Sequence, residues 1–373
     1  MQVAPSEHHQ ARLARLRRTL RAASLDALIV TSLPNIAYLT GLFASTAALI
    51  VGETEAQLCV DGRYFAVAEA RRHELPGLGL TRVSSSGSLE ESMAEIAARY
   101  RPGRVGIEAS HMTVRQHQQL KAQMLRQGNA VTLEGTDGLI ENLRAVKDSW
   151  EIGRLRDGAT RLSDAAKCII PKALAGMRER DMAGLIEADL RRVGFEKPAF
   201  DTIVASGPNS AMPHYRSGDR QLQAGDLVVL DFGGMLDGYA VDLSRTVVMG
   251  RPSAEAQRLL DVVVASQQAG FEAVRIGRPA TEVDQAARQV LERAGLGEAF
   301  SHGTGHGLGL EVHERPRVTR FRPGLPVEPL AAGMVFTLEP GAYLSGWGGV
   351  RIEDDVVVTT GGPEWLTDVP RLM

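Results

Sequence analysis

Apolar residues recur at helical spacing between Ala11 and Ala23, where Leu13, Leu16 and Leu20 stand among arginines, and this period predicts an amphipathic helix. Its apolar face is narrow and no second membrane signal accompanies it, so packing on a domain is the expectation. Short apolar runs follow at Ala27–Val30, Ala47–Gly52 and Gln57–Val60, the last two around the turn Glu53-Thr54-Glu55, and then at Leu78–Val83 and Arg104–Glu108. Helical patterns at Arg63–Arg72, Leu89–Tyr100 and Val114–Arg126 separate them. Such alternation predicts an α/β domain of about 140 residues, within the usual domain size.

A long helical pattern opens near Ser149 and runs towards Ile170, where Pro171 ends or kinks it. The domain boundary is therefore set at Arg144–Asp148, giving domains 1–144 and 145–373. The second domain continues with a helix around Arg180–Arg192, a strand at Thr202–Ala205 and a loop through Gly207-Pro208-Asn209. Helices over Ala254–Ile276 and Thr281–Ala294 precede Gly-rich strands, an α+β pattern.

Hydrophobic residues make up 44% and charged residues 23% of the 373, an ordinary globular balance. A net charge of −3 offers no basic footprint for nucleic acid or an acidic membrane. No apolar run approaches a membrane span, and the first residues lack the basic and then apolar order of a secretory signal. Cys59 and Cys168 have no metal-type spacing, which favours a reducing cytoplasm and two buried thiols. Any metal must then be held by histidine and carboxylate.

Those ligand types concentrate in particular places. From His302 to Glu314 three histidines and two carboxylates lie among four glycines, a backbone suited to close approach to a ligand. Leu227–Leu230 reads as a buried strand ending in Asp231, after which Phe232-Gly233-Gly234 and Asp237-Gly238 turn the chain. The returning strand from Tyr239 to Thr246 carries Asp242, which such a hairpin can bring beside Asp231. Glu339 closes the run Met334–Leu338, and Glu353 precedes the run Val356–Val358. Taken singly, Glu339 and Glu353 are each better read as an exposed charge at a strand end. Four dry carboxylates with His306 would form an oxygen-rich site with one imidazole, suited to Mn²⁺, Co²⁺, Fe²⁺ or Zn²⁺ in a bridged pair.

The order Asp231, Asp242, His306, Glu339, Glu353, with His306 inside Gly-His-Gly-Leu-Gly, resembles the pita-bread metallopeptidases, which include methionine aminopeptidase, aminopeptidase P and prolidase. Asn35-Ile36-Ala37-Tyr38-Leu39-Thr40-Gly41 and Asp61-Gly62-Arg63-Tyr64 are similar to the creatinase-type N-terminal domain, which points to the Xaa-Pro branch. Creatinase itself has lost the metal ligands that stand here. The resemblance implies a creatinase-like α/β domain followed by a pita-bread catalytic domain, two divalent ions with Mn²⁺ foremost, a peptide substrate with proline second, and a homodimer. It implies Asp231 on one ion, His306 and Glu339 on the other, and Asp242 and Glu353 shared. Glu339 would be general base, and His214 and His313 would orient substrate and stabilise the oxyanion. Arg351 pairs with acidic ligands or contacts substrate, Tyr343 walls the pocket, and His302 has no assigned role.

Ile203–Gly207 through His214 is more similar to the small aminopeptidases P, so removal of the residue before proline is the first expectation and prolidase activity on dipeptides the second. A different hydrolase or lyase on the scaffold, or a metal-free binding module, fits the intact ligand set less well. Glu314–Met334 departs from the family in length and charge: Arg315, Arg317, Arg320 and Arg322 lie among Pro316, Pro323, Pro326 and Pro329. These arginines suit a substrate carboxylate, a subunit contact or plain solvation.

Overall fold

The computed structural model describes residues 1–372 apart from 76, 101–102, 129–130 and 325–326, so Pro326 of the basic segment lies outside the described residues. Two compact units emerge, Gln2–Arg144 and the chain from Ala145 on together with Met1.

In the first unit the helices are α1 (Ser6–Ala22), α2 (Leu33–Thr40), α3 (Gly62–Ala70), α4 (Leu89–Ala97) and α5 (Val114–Arg126), with α6 (Glu141–Ala145) at its end. The strands β1 (Ala27–Val30), β2 (Ala48–Gly52), β3 (Ala56–Val60), β4 (Leu78–Arg82), β5 (Arg104–Glu108) and β6 (Thr132–Thr136) form one sheet in the order β4-β3-β2-β1-β5-β6. β1 runs parallel to β5 and antiparallel to β2. Ile29, Ile50, Cys59 and Val105 from the sheet pack with Met93, Ile96 and Leu120 from α4 and α5. Thr113 and Gln116 close a reciprocal capping box that starts α5. The sequence pattern misses α2, whose end is marked by Gly41 at φ 65°, and β6, an edge strand only partly buried and so lacking a full apolar signature.

The second unit begins with α7 (Ser149–Ile169), started by Asp148, which accepts from the backbone N–H groups of Trp150 and Glu151. It continues through α8 (Glu179–Arg192), β7 (Lys197–Pro198), β8 (Ile203–Ser206), a 3-10 turn over Gly207–Ala211, β9 (Leu227–Leu236) and β10 (Tyr239–Val248). After α9 (Ala254–Ala273) and α10 (Ala280–Arg293) come β11 (Gly305–Gly307), β12 (Glu314–Val318), β13 (Val335–Leu338), β14 (Gly341–Leu344), β15 (Gly348–Arg351), β16 (Asp354–Thr359) and β17 (Gly362–Trp365). One sheet is ordered β10-β9-β7 with β8 also on β9, and another β12-β11-β13-β16-β17. An antiparallel bridge between Ser244 and Glu353 links β10 to the turn before β16.

Three expectations change here. β9 does not end at Asp231 but runs on to Leu236, and only Asp237 and Gly238, at φ 51° and 80°, turn the chain. Gly233 and Gly234 are strand residues paired with Asp242 and Val241, and they are glycine because a Cβ there would strike the Val241 carbonyl or the Phe195 ring. The helix expected to reach Ile276 stops at Ala273, since Val274 is extended and Gly277 donates its N–H to the Leu330 carbonyl. Cys59 is buried but Cys168 is exposed on α7, so only one of the two thiols is sheltered.

Candidate metal centre

Strand alternation decides which side chains reach the site. Val228, Leu230 and Phe232 on β9, with Val241 and Leu243 on β10, pack against Leu155, Ala159 and Leu162 of α7. Residues of the other parity face the opposite way. Ser244 pairs with Asp231 and Gly233 with Asp242, so the two aspartates are diagonal neighbours on that second face. Both are buried.

The remaining residues arrive from the other sheet. β11 pairs with β12 and β13, and the His306 N–H donates to Thr337 Oγ1 at 3.1 Å. Glu339 follows β13, its N–H on the Thr304 carbonyl at 2.8 Å. Glu353 donates its N–H to the Ser244 carbonyl and accepts from Ser244 Oγ at 2.7 Å. One ligand atom each of Asp242, His306 and Glu353 lies within 4.8 Å of the others, and His306 Nε2 is 3.5 Å from Glu339 Oε1. Asp231 is held by Arg351, whose Nη2 donates to Oδ2, while Oδ1 finds no protein partner among the described residues.

Four carboxylates stand against one guanidinium, and the pKa values register the imbalance. Burial, then repulsion from Asp231, Asp355 and Glu339, pushes Asp242 well above the usual carboxylate range. Glu353 rises for the same causes, burial first and Asp242 next. Burial lifts Glu339 to about 8, with Asp231 adding repulsion and Arg351 opposing. His306 is pushed down to about 4, chiefly by burial and then by His313. Buried charge of this kind is costly unless cations compensate it. The orphan Oδ1 of Asp231 and a neutral imidazole among carboxylates are what divalent cations need, so the donor set fits a metal.

His313 is exposed, its ring edge-on to His306 with centroids 4.2 Å apart. His214 is also exposed, in the loop before Tyr215; burial pushes His302 and His313 down, and proximity to His214 adds to it. Arg351 is buried: Nε donates to Ser244 Oγ at 3.0 Å, and Nη1 to the Pro213 carbonyl at 3.2 Å and Tyr343 Oη at 2.9 Å. Tyr343 also meets His302 Nε2 at 2.9 Å, and burial pushes its hydroxyl up to about 12. His302 thus has a partner that sequence alone did not supply. Arg317 lies opposite His306 on β12, Arg315 pairs with Glu328 at 3.0 Å, and Arg320 reaches the Phe300 carbonyl at 3.5 Å, so part of the basic segment is strand and not a solvated loop.

Sequence reasoning passed over three residues here. Asp355 is fully buried and accepts the Asp242 N–H at 3.1 Å. Ser244 links Arg351 to Glu353. Arg245, buried in β10, donates to the Glu353 carbonyl at 2.6 Å and Asp354 at 2.7 Å. A charged residue in the middle of an apolar strand is the signal that marks Arg245.

Residues 154–360 match metallopeptidase family M24, and residues 12–146 match the creatinase/prolidase N-terminal domain. The chain belongs to metallopeptidase family M24. A Xaa-Pro dipeptidase of Pyrococcus horikoshii is 33% identical over 350 residues, 93% of this chain and 94% of its own. Among solved structures, a Xaa-Pro dipeptidase from Bacillus anthracis superposes with a TM-score of 0.90 at 30% identity, covering 98% of this chain and 100% of that one. An X-Pro aminopeptidase from Thermotoga maritima gives 0.83 at 31% identity, covering 95% and 100%. Creatinase-type and pita-bread folds are thus the architecture of the two units.

Proposed function

We propose that this chain is a two-metal peptidase that hydrolyses the bond between a residue and a following proline. The observation that carries the reading is the convergence of Asp242, His306 and Glu353, with Glu339 beside His306, in an M24 chain. Asp231 would hold one ion, His306 and Glu339 the other, and Asp242 and Glu353 both; Mn²⁺ is the first ion to test. Bound there, the ions supply a water acidic enough to attack at neutral pH and polarise the scissile carbonyl.

The chain's own residues do the rest. Glu339, beside His306, would take a proton from the attacking water and return one to the leaving proline nitrogen. His313 and His214, exposed beside the buried ligands, orient the peptide and donate to the carbonyl oxygen as charge develops. Arg351 has its donors occupied by Asp231, Ser244, Pro213 and Tyr343, which favours a role in fixing Asp231 over direct substrate contact; Tyr343 and His302 fix Arg351 in turn.

Similarity to named dipeptidases favours the free Xaa-Pro dipeptide as substrate; removal of the first residue from longer Xaa-Pro peptides is the second reading, favoured by the likeness to the Thermotoga aminopeptidase. Hydrolysis of an Xaa-Pro dipeptide and an Xaa-Pro-Yaa tripeptide, with Mn²⁺ and with chelator, tests both. Chelator-sensitive cleavage of the dipeptide alone supports the dipeptidase, cleavage of the tripeptide supports the aminopeptidase, and cleavage of neither overturns the proposal. The unpaired cysteines suit a cytoplasmic enzyme, and gel filtration with light scattering tests the homodimer.

A further inference from the structure

Glu179 opens α8 and is fully buried, away from the metal ligands in sequence and unused in the chemistry above. Its Oε1 accepts from the Ser206 N–H at 2.8 Å, Ser206 Oγ at 2.7 Å and Asn209 Nδ2 at 2.9 Å. Its Oε2 accepts from the Gly218 N–H at 3.2 Å. Ser206 and Gly218 are the two ends of the segment that carries His214, so one carboxylate grips both. Every donor around it is fixed: Asn209 also donates to Tyr215 Oη at 2.9 Å, and Arg220 Nη1 donates to Ser206 Oγ at 2.6 Å while pairing with Asp226. The backbone completes the clasp, with Glu179 N–H on the Arg220 carbonyl at 3.0 Å and Arg180 N–H on the Gly218 carbonyl at 3.1 Å.

The far side of the same segment is tied to the metal centre. Pro213, next to His214, gives its carbonyl to Arg351, and Ser210 Oγ accepts the Gly349 N–H at 2.8 Å. His214 thus sits on a span fastened to β15 on one side and to α8 on the other. We propose that Glu179 is a positioning residue for His214: by holding Ser206 and Gly218 together it sets where the imidazole stands. A glutamate is required by the donor pattern. Glutamine would keep an acceptor for Ser206 and Asn209 but turn an NH₂ towards the Gly218 N–H, releasing one end, and aspartate is one methylene too short to reach both. Displacement of about 1 Å at a positioned group is enough for large losses in rate.

The proposal rests on His214 acting on the substrate, and its test separates the two claims. In the metal-loaded enzyme, E179Q lowers kcat/KM on an Xaa-Pro substrate about 10-fold and H214A lowers it further, and the double variant is no worse than H214A. In the metal-free protein, amide exchange of E179Q rises within 206–218 but not in α7 or β10, and the His214 ring resonances move. Losses that multiply in the double variant, or unchanged exchange and unmoved resonances, overturn it. Should E179Q fail to fold, N209A removes one donor and leaves the carboxylate buried among the others; it shows the same pattern more weakly, and a uniform rise in exchange overturns the assignment. If the wild-type protein cleaves no Xaa-Pro substrate, the proposed function fails, and exchange and resonances still decide the role of Glu179.

Discussion

In the proposed site Glu339 would both hold metal and move the proton, whereas His306 would hold metal alone. Glu339→Gln keeps an oxygen ligand but removes the basic carboxylate, so turnover should nearly vanish while much of the metal stays bound. His306→Ala removes the imidazole within 3.5 Å of Glu339 and should lose metal as well as activity. Metal analysis beside rate assays checks both, and full activity in either variant contradicts the assignment. His313→Ala should lower kcat by about 10²-fold, the scale of losing an oxyanion donor; steady-state kinetics with an unchanged kcat would return His313 to a surface role. The carboxylate candidates were legible in the sequence because each borders or interrupts an apolar run, and His306 because histidines crowd there among glycines. Asp355 was not, because the acidic triplet from Glu353 reads as exposed until the strand β16 buries it. Nor was Glu179, whose partners come from residues 27 to 39 positions away.

The hairpin β9–β10 shows how an element can be found and its shape misjudged. Both strands were evident from their apolar residues, but Gly233-Gly234 resembles a turn, and only the packing of Phe195 and Val241 explains glycines inside a strand. Close approach recurs in β11, where a Cβ on Gly305 would collide with the Thr337 carbonyl. Gly305→Ala should therefore push β11 from β13, costing about 1–3 kcal/mol and carrying His306 out of register, so that thermal stability and metal affinity fall together. Gly153 in α7 is the opposite case, with open space where a Cβ would stand. Gly153→Ala should stabilise by up to about 1 kcal/mol through helix propensity. Thermal melts of the pair give opposite signs if the local packing is right; a destabilised Gly153→Ala variant would contradict it.

Over the whole molecule, the charge imbalance at the centre couples stability to pH and to metal. Without metal, folded Glu339 titrates at about 8 against an ordinary 4.5, and Asp242 and Glu353 are raised in the same direction. The stability tied to those protons is complete below the unfolded values and is lost as pH rises through the folded ones. His302 and His306, pushed down from 6.5 to about 4, act oppositely: their contribution is complete above 6.5 and lost as pH falls towards 4. Above 6.5 the histidine contribution is complete while Glu339 is still losing its proton towards 8, so the metal-free melting temperature should fall across that window. With Mn²⁺ the same deprotonation strengthens binding, and the melting temperature should rise. A metal-free melting temperature that rises instead would contradict the reading of the cluster. The most direct measurement strips the protein with chelator, adds Mn²⁺ back in steps, and follows bound metal and Xaa-Pro dipeptide hydrolysis on the same samples. Activity absent in the stripped protein and restored as two ions bind is the predicted result; full hydrolysis without metal, or restoration that Asp242→Asn and Glu353→Gln leave untouched, would contradict it.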